Sequence, residues 1–434
     1  MATKHSRIAR IRETAQRYID AEAFSGIEWL IQHQGSILDN GSAGYACKTQ
    51  QTPIPANAIY RIYSMTKPIV SIMGLMAIEQ GRMHLFDPVA RYLPGFANAQ
   101  ILSSEGALTP TAGPLTVEHL FMHQSGLSYG FMPDCPVGVL YREHNLAEDG
   151  SRSLSDYVEV LSTLPIAFEP GSRWHYSCST DVLARIIEIV LEDSIGALLS
   201  RHLFEPLHMD DTTFDYAEGE AGNWAPPHGL NIDGEQTVMS NYFNQSVYPY
   251  RPAGGAFSTA SDMAHYVQLE LSRGLTPEGE RLVSEENLLA RREPGVQVGE
   301  GVWYGMGLFN EEHWGVPVVT HGGTLVGYHS NWYALPEAGV GAVRCAISPG
   351  EGSGMGLRAE IEMPRLGPGE EIAIETGNPA IWVAEPVSSR AGGTLVAETR
   401  LEHVDGSAFA LDRSALRITV MAEGQAVDIR GCTG

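Results

Sequence analysis

The chain has 434 residues and a mass of 47.1 kDa, and 43% of its side chains are hydrophobic, which is enough to bury a substantial core. Its 52 acidic residues outnumber the 28 lysines and arginines, giving a formal net charge of −24, so nucleic-acid binding is not expected. No apolar run reaches membrane-spanning length, so no membrane partner is expected either.

The N-terminal 23 residues interleave basic and apolar positions and lack the apolar core of a signal peptide, so they are predicted to form the first helix. Strands are predicted near residues 26–31 and 36–40. The five cysteines are an odd number without paired spacing, which is typical of a reducing compartment. We therefore expect a cytoplasmic protein.

The next predicted helix follows a serine–lysine pair. Ser64 precedes a stretch, residues 65–80, that contains Lys67 and is otherwise apolar almost all round. Pro68 fits only the first turn of a helix, and Gly81 is a C-terminal stop signal. Lys67 would lie one turn after Ser64 on the same face, where desolvation favours a neutral amine that can accept the serine proton. The alternative is an N-capping serine beside a lysine that reaches solvent.

Two later segments favour the catalytic interpretation. Tyr176 lies in a turn-rich stretch before an apolar helix predicted over residues 182–191, where a phenol could transfer protons. A β-branched strand over residues 316–320 runs into Gly322 and Gly323, which would let a substrate approach backbone N–H groups. Such N–H groups suit an oxyanion hole.

Together these segments resemble the serine β-lactamase and penicillin-binding-protein superfamily, in the branch that holds class C β-lactamases and family VIII carboxylesterases. The resemblance covers about residues 8–350 and rests on six segments in the family's order: 63–70, 115–127, 169–178, 254–263, 304–307 and 316–324.

The resemblance implies an α/β (α+β) fold, with an antiparallel sheet flanked by helices and a helical subdomain over about residues 90–250. Helix 1, the first strands and residues 257–348 would build the sheet. Residues 1–350 would form the hydrolase domain. Residues 351–434 depart from the family, because glycine and proline interrupt every candidate helix and alternation instead predicts strands at 371–375, 394–401 and 416–420. This β-rich extension could shape the pocket, bind a partner or pair with a second subunit in a homo-oligomer.

The resemblance also implies roles for individual residues. Ser64 would be the nucleophile and Lys67 would help remove its proton. Tyr176 would be the partner base that then protonates the leaving group. The oxyanion hole would be the backbone N–H groups of Ser64 and Thr324. Substrate binding is assigned to the remaining motif positions: Cys178, His321, Gly322 and Gly323. No metal or cofactor is expected.

Two departures from the β-lactamase pattern favour esters. Cys178 replaces the asparagine that holds the β-lactam side chain, and His321 replaces the lysine that pairs with its carboxylate. A histidine with an ordinary pKa of about 6.5 is mostly neutral at pH 7. We therefore predict a carboxylesterase acting on small or medium acyl esters. An amidase or peptidase, a β-lactamase, an acyltransferase and a non-hydrolytic acyl-binding sensor remain alternatives.

Two further patterns compete with this interpretation. Residues 126–130 match Gly-x-Ser-x-Gly, but a helical stretch rather than the required strand precedes Ser128. His119 and His123 have the i, i+4 spacing of zinc ligands, yet the glutamate of His-Glu-x-x-His is missing, so a role in helix packing is predicted.

Overall fold

The computed structural model describes residues 2–48, 50–132, 135–144, 146, 152–215, 223–230, 236–238, 251–313, 315–325, 327–347, 355–367, 370–376, 381–383, 387–391, 393–403, 416–422 and 425–430. Its α-helices are α1 (Ala2–Asp20), α2 (Thr66–Glu79), α3 (Val117–Phe121), α4 (Pro136–Glu143), α5 (Leu154–Ser162), α6 (Ser179–Leu191), α7 (Ile195–Leu199), α8 (Ala260–Leu271) and α9 (Glu285–Ala290). Short 3₁₀ turns lie at Tyr63–Met65, Val89–Arg91, Pro94–Asn98 and Glu205–Leu207, and a π turn lies at Ser200–Phe204.

The strands up to the end of the main sheet are β1 (Gly26–His33), β2 (Ser36–Cys47), β3 (Thr52–Pro53), β4 (Tyr60–Arg61), β5 (Gln100–Leu102), β6 (Leu108–Pro110), β7 (His228–Leu230), β8 (Gln236–Val238), β9 (Phe257–Ser258), β10 (Val296–Gly299), β11 (Val302–Tyr304), β12 (Phe309–His313), β13 (Val316–Leu325), β14 (Tyr328–Leu335) and β15 (Val340–Ile347). The strands that follow are β16 (Met355–Glu362), β17 (Glu371–Glu375), β18 (Ile381–Val383), β19 (Val387–Ala391), β20 (Thr394–His403), β21 (Arg417–Ala422) and β22 (Gln425–Arg430).

A nine-stranded antiparallel sheet forms the centre of the fold, in the order β10-β11-β12-β13-β14-β15-β1-β2-β3. The prediction of a large antiparallel sheet flanked by helices is therefore confirmed. One expectation needs correction: residues 257–258 do not join this sheet but pair with β4, and α8 and α9 follow them, so the sheet strands of this part begin at Val296.

Helix α2 is the buried centre of the core. Twelve of its fourteen residues are buried, including Lys67, because apolar side chains cover every face. It packs against α6, and Gly74 allows close approach to Phe121, since an added Cβ would lie 2.6 Å from that ring. The helix stops where Gly81 takes a φ of +68° and donates its N–H to Ile78 O.

Beyond β15 the described residues form strands, as the alternation predicted. Strand β20 pairs with β16, β18 and β19, and β21 lies between β17 and β22. These strands bury their own small apolar cluster, which includes Leu395, Ile418 and Val420. The domain boundary near residue 350 stays a prediction. None of the helices in the described ranges is long and apolar enough to cross a membrane.

Candidate active site

Ser64 lies in the 3₁₀ turn that joins β4 to α2. Tyr63, just before it, has a φ of +45°, which is uncommon for a residue with a side chain. Two hydrogen bonds hold the turn: Met65 donates its N–H to Ile62 O at 3.1 Å, and Thr66 Oγ1 donates to Tyr63 O at 2.6 Å. The turn therefore presents the half-buried Ser64 at the entrance to α2.

Lys67 is buried one turn further along the chain, with its Nζ 3.0 Å from Ser64 Oγ. The same nitrogen donates to Ala253 O at 2.8 Å. Burial lowers the pKa of Lys67 to about 7, although the nearby Asp181 and Cys178 act to raise it. A large share of the amine is therefore neutral near pH 7 and able to accept a proton from the serine.

Tyr176 completes the group. It precedes α6 and lines the same cavity as Ser64, while the Nζ of Lys67 lies 4.6 Å from the centre of its ring. Burial raises the pKa of Tyr176, an effect that the neighbouring hydroxyl of Ser64 only partly offsets. The phenol is therefore protonated at rest, and the three side chains singled out in the sequence lie together.

Asp181 is a fourth polar group of the site that the sequence analysis missed. It lies buried in the first turn of α6, where its Oδ1 accepts the N–H of Ala253 at 2.9 Å. Burial raises its pKa, and Arg251, Ala253 and Lys67 act against that rise. The available signal was an acidic residue in the first turn of a mostly apolar helix.

The end of strand β13 lies beside the turn that holds Ser64. Gly323 makes this approach possible, because an added Cβ would lie 2.0 Å from Ile62 O. Thr324 follows it and lines the same cavity as Ser64. The backbone positions named for the oxyanion hole are thus neighbours, and their catalytic role stays a prediction.

His321 and the two glycines after it do not line the cavity. His321 is buried, with its ring 5.2 Å from that of Phe309 and its Nδ1 2.7 Å from Gly322 O. Burial lowers its pKa to about 3, so it carries no charge at neutral pH. An added Cβ on Gly322 would face Asn331 at 2.8 Å. The assignment of these residues to substrate binding therefore rests on the motif and stays a prediction.

Cys178 does not line the cavity either. Its side chain is fully buried in the main core, whereas Tyr157 does line the cavity. Burial raises the pKa of this thiol to about 12, so it is protonated at neutral pH, and its assignment to substrate binding stays a prediction. The four cysteines in the described ranges are all free thiols.

The two histidines with the spacing of zinc ligands make different contacts. His119 caps α3, where its Nδ1 accepts the N–H of Thr116 at 3.2 Å. His123 lies beyond the helix with a φ of +52°, and its ring is 4.7 Å from that of Tyr176. His123 thus lies past the end of the helix, but it is fully buried and packs against the ring of Tyr176. Among the described residues no cluster has the composition of a metal site.

The Gly-x-Ser-x-Gly serine is buried away from the cavity. Ser128 Oγ lies 2.9 Å from His175 Nε2, but a loop rather than a strand leads into it and it does not line the cavity. Without exposure, this serine cannot meet a substrate.

A cavity of about 230 Å³ opens over the reactive group. Most of its surface is apolar or aromatic, and its described walls are Tyr63, Ser64, Lys67, Tyr129, Gly130, Phe131, Tyr141, Leu146, Tyr157, Tyr176, Asp181, Arg251, Ala253, Gly254, Thr324 and Leu325. Tyr129, Gly130 and Phe131 are consecutive residues of one loop in this wall. A small acyl group would fit the space.

Comparison with known proteins identifies the family. The model of the Beta-lactamase family matches residues 11–359, which is most of the chain. The chain belongs to the Beta-lactamase family. The superfamily predicted from the sequence is therefore confirmed.

Relatives of this Beta-lactamase family member include an esterase. An uncharacterized protein of Mycobacterium tuberculosis is 27% identical over 314 residues, covering 69% of this chain and 76% of that protein. Esterase EstB of Burkholderia gladioli is 29% identical over 216 residues, covering 49% of this chain and 53% of the esterase. Among solved structures, EstCE1, a hydrolase with promiscuous acyltransferase activity, has a TM-score of 0.66 at 22% identity and covers 79% of this chain and 94% of its own. At that identity the likeness to EstCE1 shows a shared fold.

Proposed function

We propose that this protein is a carboxylesterase that works through an acyl-Ser64 intermediate. The observation that supports the proposal is the position of Ser64, which accepts a hydrogen bond from a lysine of lowered pKa and shares its cavity with a tyrosine of raised pKa. A base and an acid of these properties beside one hydroxyl suit acyl transfer. The similarity to Esterase EstB supports ester substrates.

In the proposed acylation step, neutral Lys67 takes the proton of Ser64 while the serine oxygen attacks the ester carbonyl carbon. The backbone N–H groups of Ser64 and Thr324 stabilise the oxyanion, and each such donor is worth about 3 kcal/mol. As the bond to the alcohol breaks, Tyr176 gives its phenolic proton to the departing oxygen. The ammonium of Lys67 then reprotonates the tyrosinate, so the pair returns to its starting state.

In deacylation, water attacks the acyl carbon and passes a proton to the same pair. The serine bond breaks, and Ser64 recovers a proton as the acid leaves. An alcohol in place of water would make the reaction a transesterification, and the promiscuous acyltransferase activity in the name of EstCE1 supports that variant as a side reaction.

Esters are favoured over β-lactams because the two motif residues that hold a β-lactam in the family pattern, a lysine and an asparagine, are replaced. His321 is neutral and lies off the cavity wall, and Cys178 is buried in the main core. An amidase would share the same nucleophile, so amide substrates belong in the test beside esters.

The test compares two serine variants on p-nitrophenyl butyrate. We expect Ser64→Ala to lower kcat/KM by at least about a thousandfold, while Ser128→Ala, the matched control in the Gly-x-Ser-x-Gly segment, keeps it within severalfold. Intact-mass spectrometry after rapid quenching should find the butyryl mass on the parent protein and not on Ser64→Ala. Equal activity of Ser64→Ala and the parent, or loss in Ser128→Ala alone, would overturn the proposal. A permanent adduct without turnover would instead indicate an acyl-binding sensor.

A further inference from the structure

Arg251 places a guanidinium group on the cavity wall, two residues before Ala253, whose carbonyl binds Lys67. A tight turn fixes its backbone, because Gly254 and Gly255 both donate their N–H groups to Arg251 O, at 2.8 and 2.6 Å. The guanidinium carbon lies 3.8 Å from the centre of the Tyr157 ring. Its position beside the reactive group is therefore well defined.

Most of the hydrogen-bonding capacity of this guanidinium is unused by the described residues. Its Nη2 donates to Leu146 O, and none of the ion pairs within the described ranges includes Arg251. An arginine fork of this kind matches the two oxygens of a carboxylate, with a stacked aromatic ring holding its plane. The free donors are therefore available to a ligand in the cavity.

The other charged groups of the wall do not replace Arg251 in this role. Lys67 is directed to Ser64 and Ala253, and it must be uncharged in order to act as the base. Asp181 repels anions, and its Oδ1 is occupied by Ala253 N–H. In a protein of net charge −24, an anionic substrate needs a local cation, and Arg251 is permanently charged.

We propose that Arg251 binds a carboxylate of the substrate, so that the preferred substrates are esters that also carry a free carboxylate. The inference rests on the proposed esterase function and adds a substrate class to it. The carboxylate could belong to the acyl part, as in a half-ester of a dicarboxylic acid, or to the alcohol part.

The competing explanation is that Arg251 serves only as a counter-charge to buried Asp181, since Arg251 acts to lower the pKa of that carboxyl. In that case the loss of Arg251 would affect all substrates alike. A carboxylate-binding role predicts a selective loss. Selectivity therefore separates the two explanations.

The kinetic experiment uses matched ester pairs in which one member carries a carboxylate. For the acyl side the pair is mono-(4-nitrophenyl) glutarate and 4-nitrophenyl pentanoate, and for the alcohol side it is 4-(butanoyloxy)benzoate and phenyl butanoate. We expect Arg251→Gln to lower kcat/KM for the carboxylate member of one pair roughly tenfold more than for its neutral partner, mainly through KM. Arg251→Lys should fall between, and exposed Arg273→Gln is the matched control with an unchanged ratio.

A binding measurement makes the result independent of turnover. In the Ser64→Ala background, calorimetry with monomethyl glutarate and with 4-hydroxybenzoate should detect binding of one of them, and Arg251→Gln should weaken it by a similar factor. Equal losses for both members of each pair, together with unchanged binding, would overturn the inference while leaving the esterase proposal in place. Arg251-dependent binding without hydrolysis of any ester would uphold the carboxylate site and overturn the esterase function instead. Melting temperatures confirm that each variant is folded.

Discussion

Asp181 and Lys67 bind opposite ends of the same residue, Ala253. The carboxylate of Asp181 accepts the N–H of Ala253 at 2.9 Å, and the carbonyl oxygen of Ala253 accepts a hydrogen bond from Lys67 Nζ at 2.8 Å. Three distant segments of the chain are thereby joined around the amine. This arrangement orients the Nζ of Lys67 toward Ser64, and it places the negative charge of Asp181 near enough to influence the pKa of Lys67.

The first prediction concerns the pH dependence of ester hydrolysis. Burial lowers the pKa of Lys67 to about 7, so the amine is protonated below that pH and cannot accept the proton of Ser64. We expect kcat/KM to fall about tenfold per pH unit below about pH 7 and to level off above it. Initial rates from pH 5 to 9, corrected with Ser64→Ala as the blank, provide the measurement. A flat profile over this range would contradict the role of Lys67 as base.

The second prediction separates the contribution of Asp181. Its charge acts to raise the pKa of Lys67, so Asp181→Asn should shift the acid limb of the profile to lower pH. The asparagine oxygen can still accept the N–H of Ala253, so geometry is largely kept. Asp193→Asn, at an exposed ion pair with Arg201, is the control and should leave the limb in place. A limb that stays fixed or moves to higher pH would exclude this electrostatic link.

The sequence revealed the parts of the site that depend on neighbours along the chain. Ser64 and Lys67 are one turn apart on a helix whose apolar pattern was clear, and Tyr176 precedes another such helix. The contribution of Ala253 could not be predicted from the sequence. The hydrogen bond that it accepts from Lys67 spans 186 positions, and only the folded chain brings the two residues together. Contacts of this length cannot be derived from local periodicity.

The same limit explains the residues that were misplaced. A motif gives the position of Cys178 in the sequence but not the direction of its side chain, which is buried in the main core. His123 lies beyond the end of the helix and has a positive φ. The i, i+4 spacing therefore does not place its side chain on the same helical face as that of His119. In the C-terminal region, alternation predicted strands, but the pairing of β20 with three partners depends on long-range packing.

The third prediction tests the neutrality of His321. Because burial lowers its pKa to about 3, this ring stays uncharged from pH 5 to 9, and its removal should not move the acid limb. We expect His321→Asn to lower kcat/KM by up to roughly tenfold, through lost packing against Phe309 and Tyr176, with the limb still near pH 7. The pH–rate profile is the measurement. A shift of the limb would mean that His321 titrates with the reactive group.

The fourth prediction concerns the close approach of β13 to the nucleophile turn. In Gly323→Ala the added Cβ would lie 2.0 Å from the backbone oxygen of Ile62, so the strand must move away from Ser64. We expect kcat/KM to fall by about a hundredfold or more, as for the loss of an oxyanion donor. Gly393→Ala is the matched control, because its Cβ would meet open space. Kinetics and melting temperature should be measured for both, and full activity of Gly323→Ala would show that the strand is not fixed there.

The last prediction concerns stability, at the buried ion pair between Arg291 and Glu270. Both side chains are 0% exposed, with Nη1 2.8 Å from Oε1, and Arg291 Nη2 also donates to Pro68 O at 3.2 Å, next to Lys67. Removing one charge leaves the other buried without compensation, so Glu270→Gln should lower the free energy of unfolding by about 3–5 kcal/mol. Glu285→Gln, in the exposed pair with Arg273, should cost less than about 1 kcal/mol.

Urea unfolding of both variants checks the difference, and equal losses would mean that burial does not set the strength of the pair. Because Arg291 binds the residue beside Lys67, Glu270→Gln should also lower kcat at temperatures where the protein is still fully folded, whereas Glu285→Gln should not.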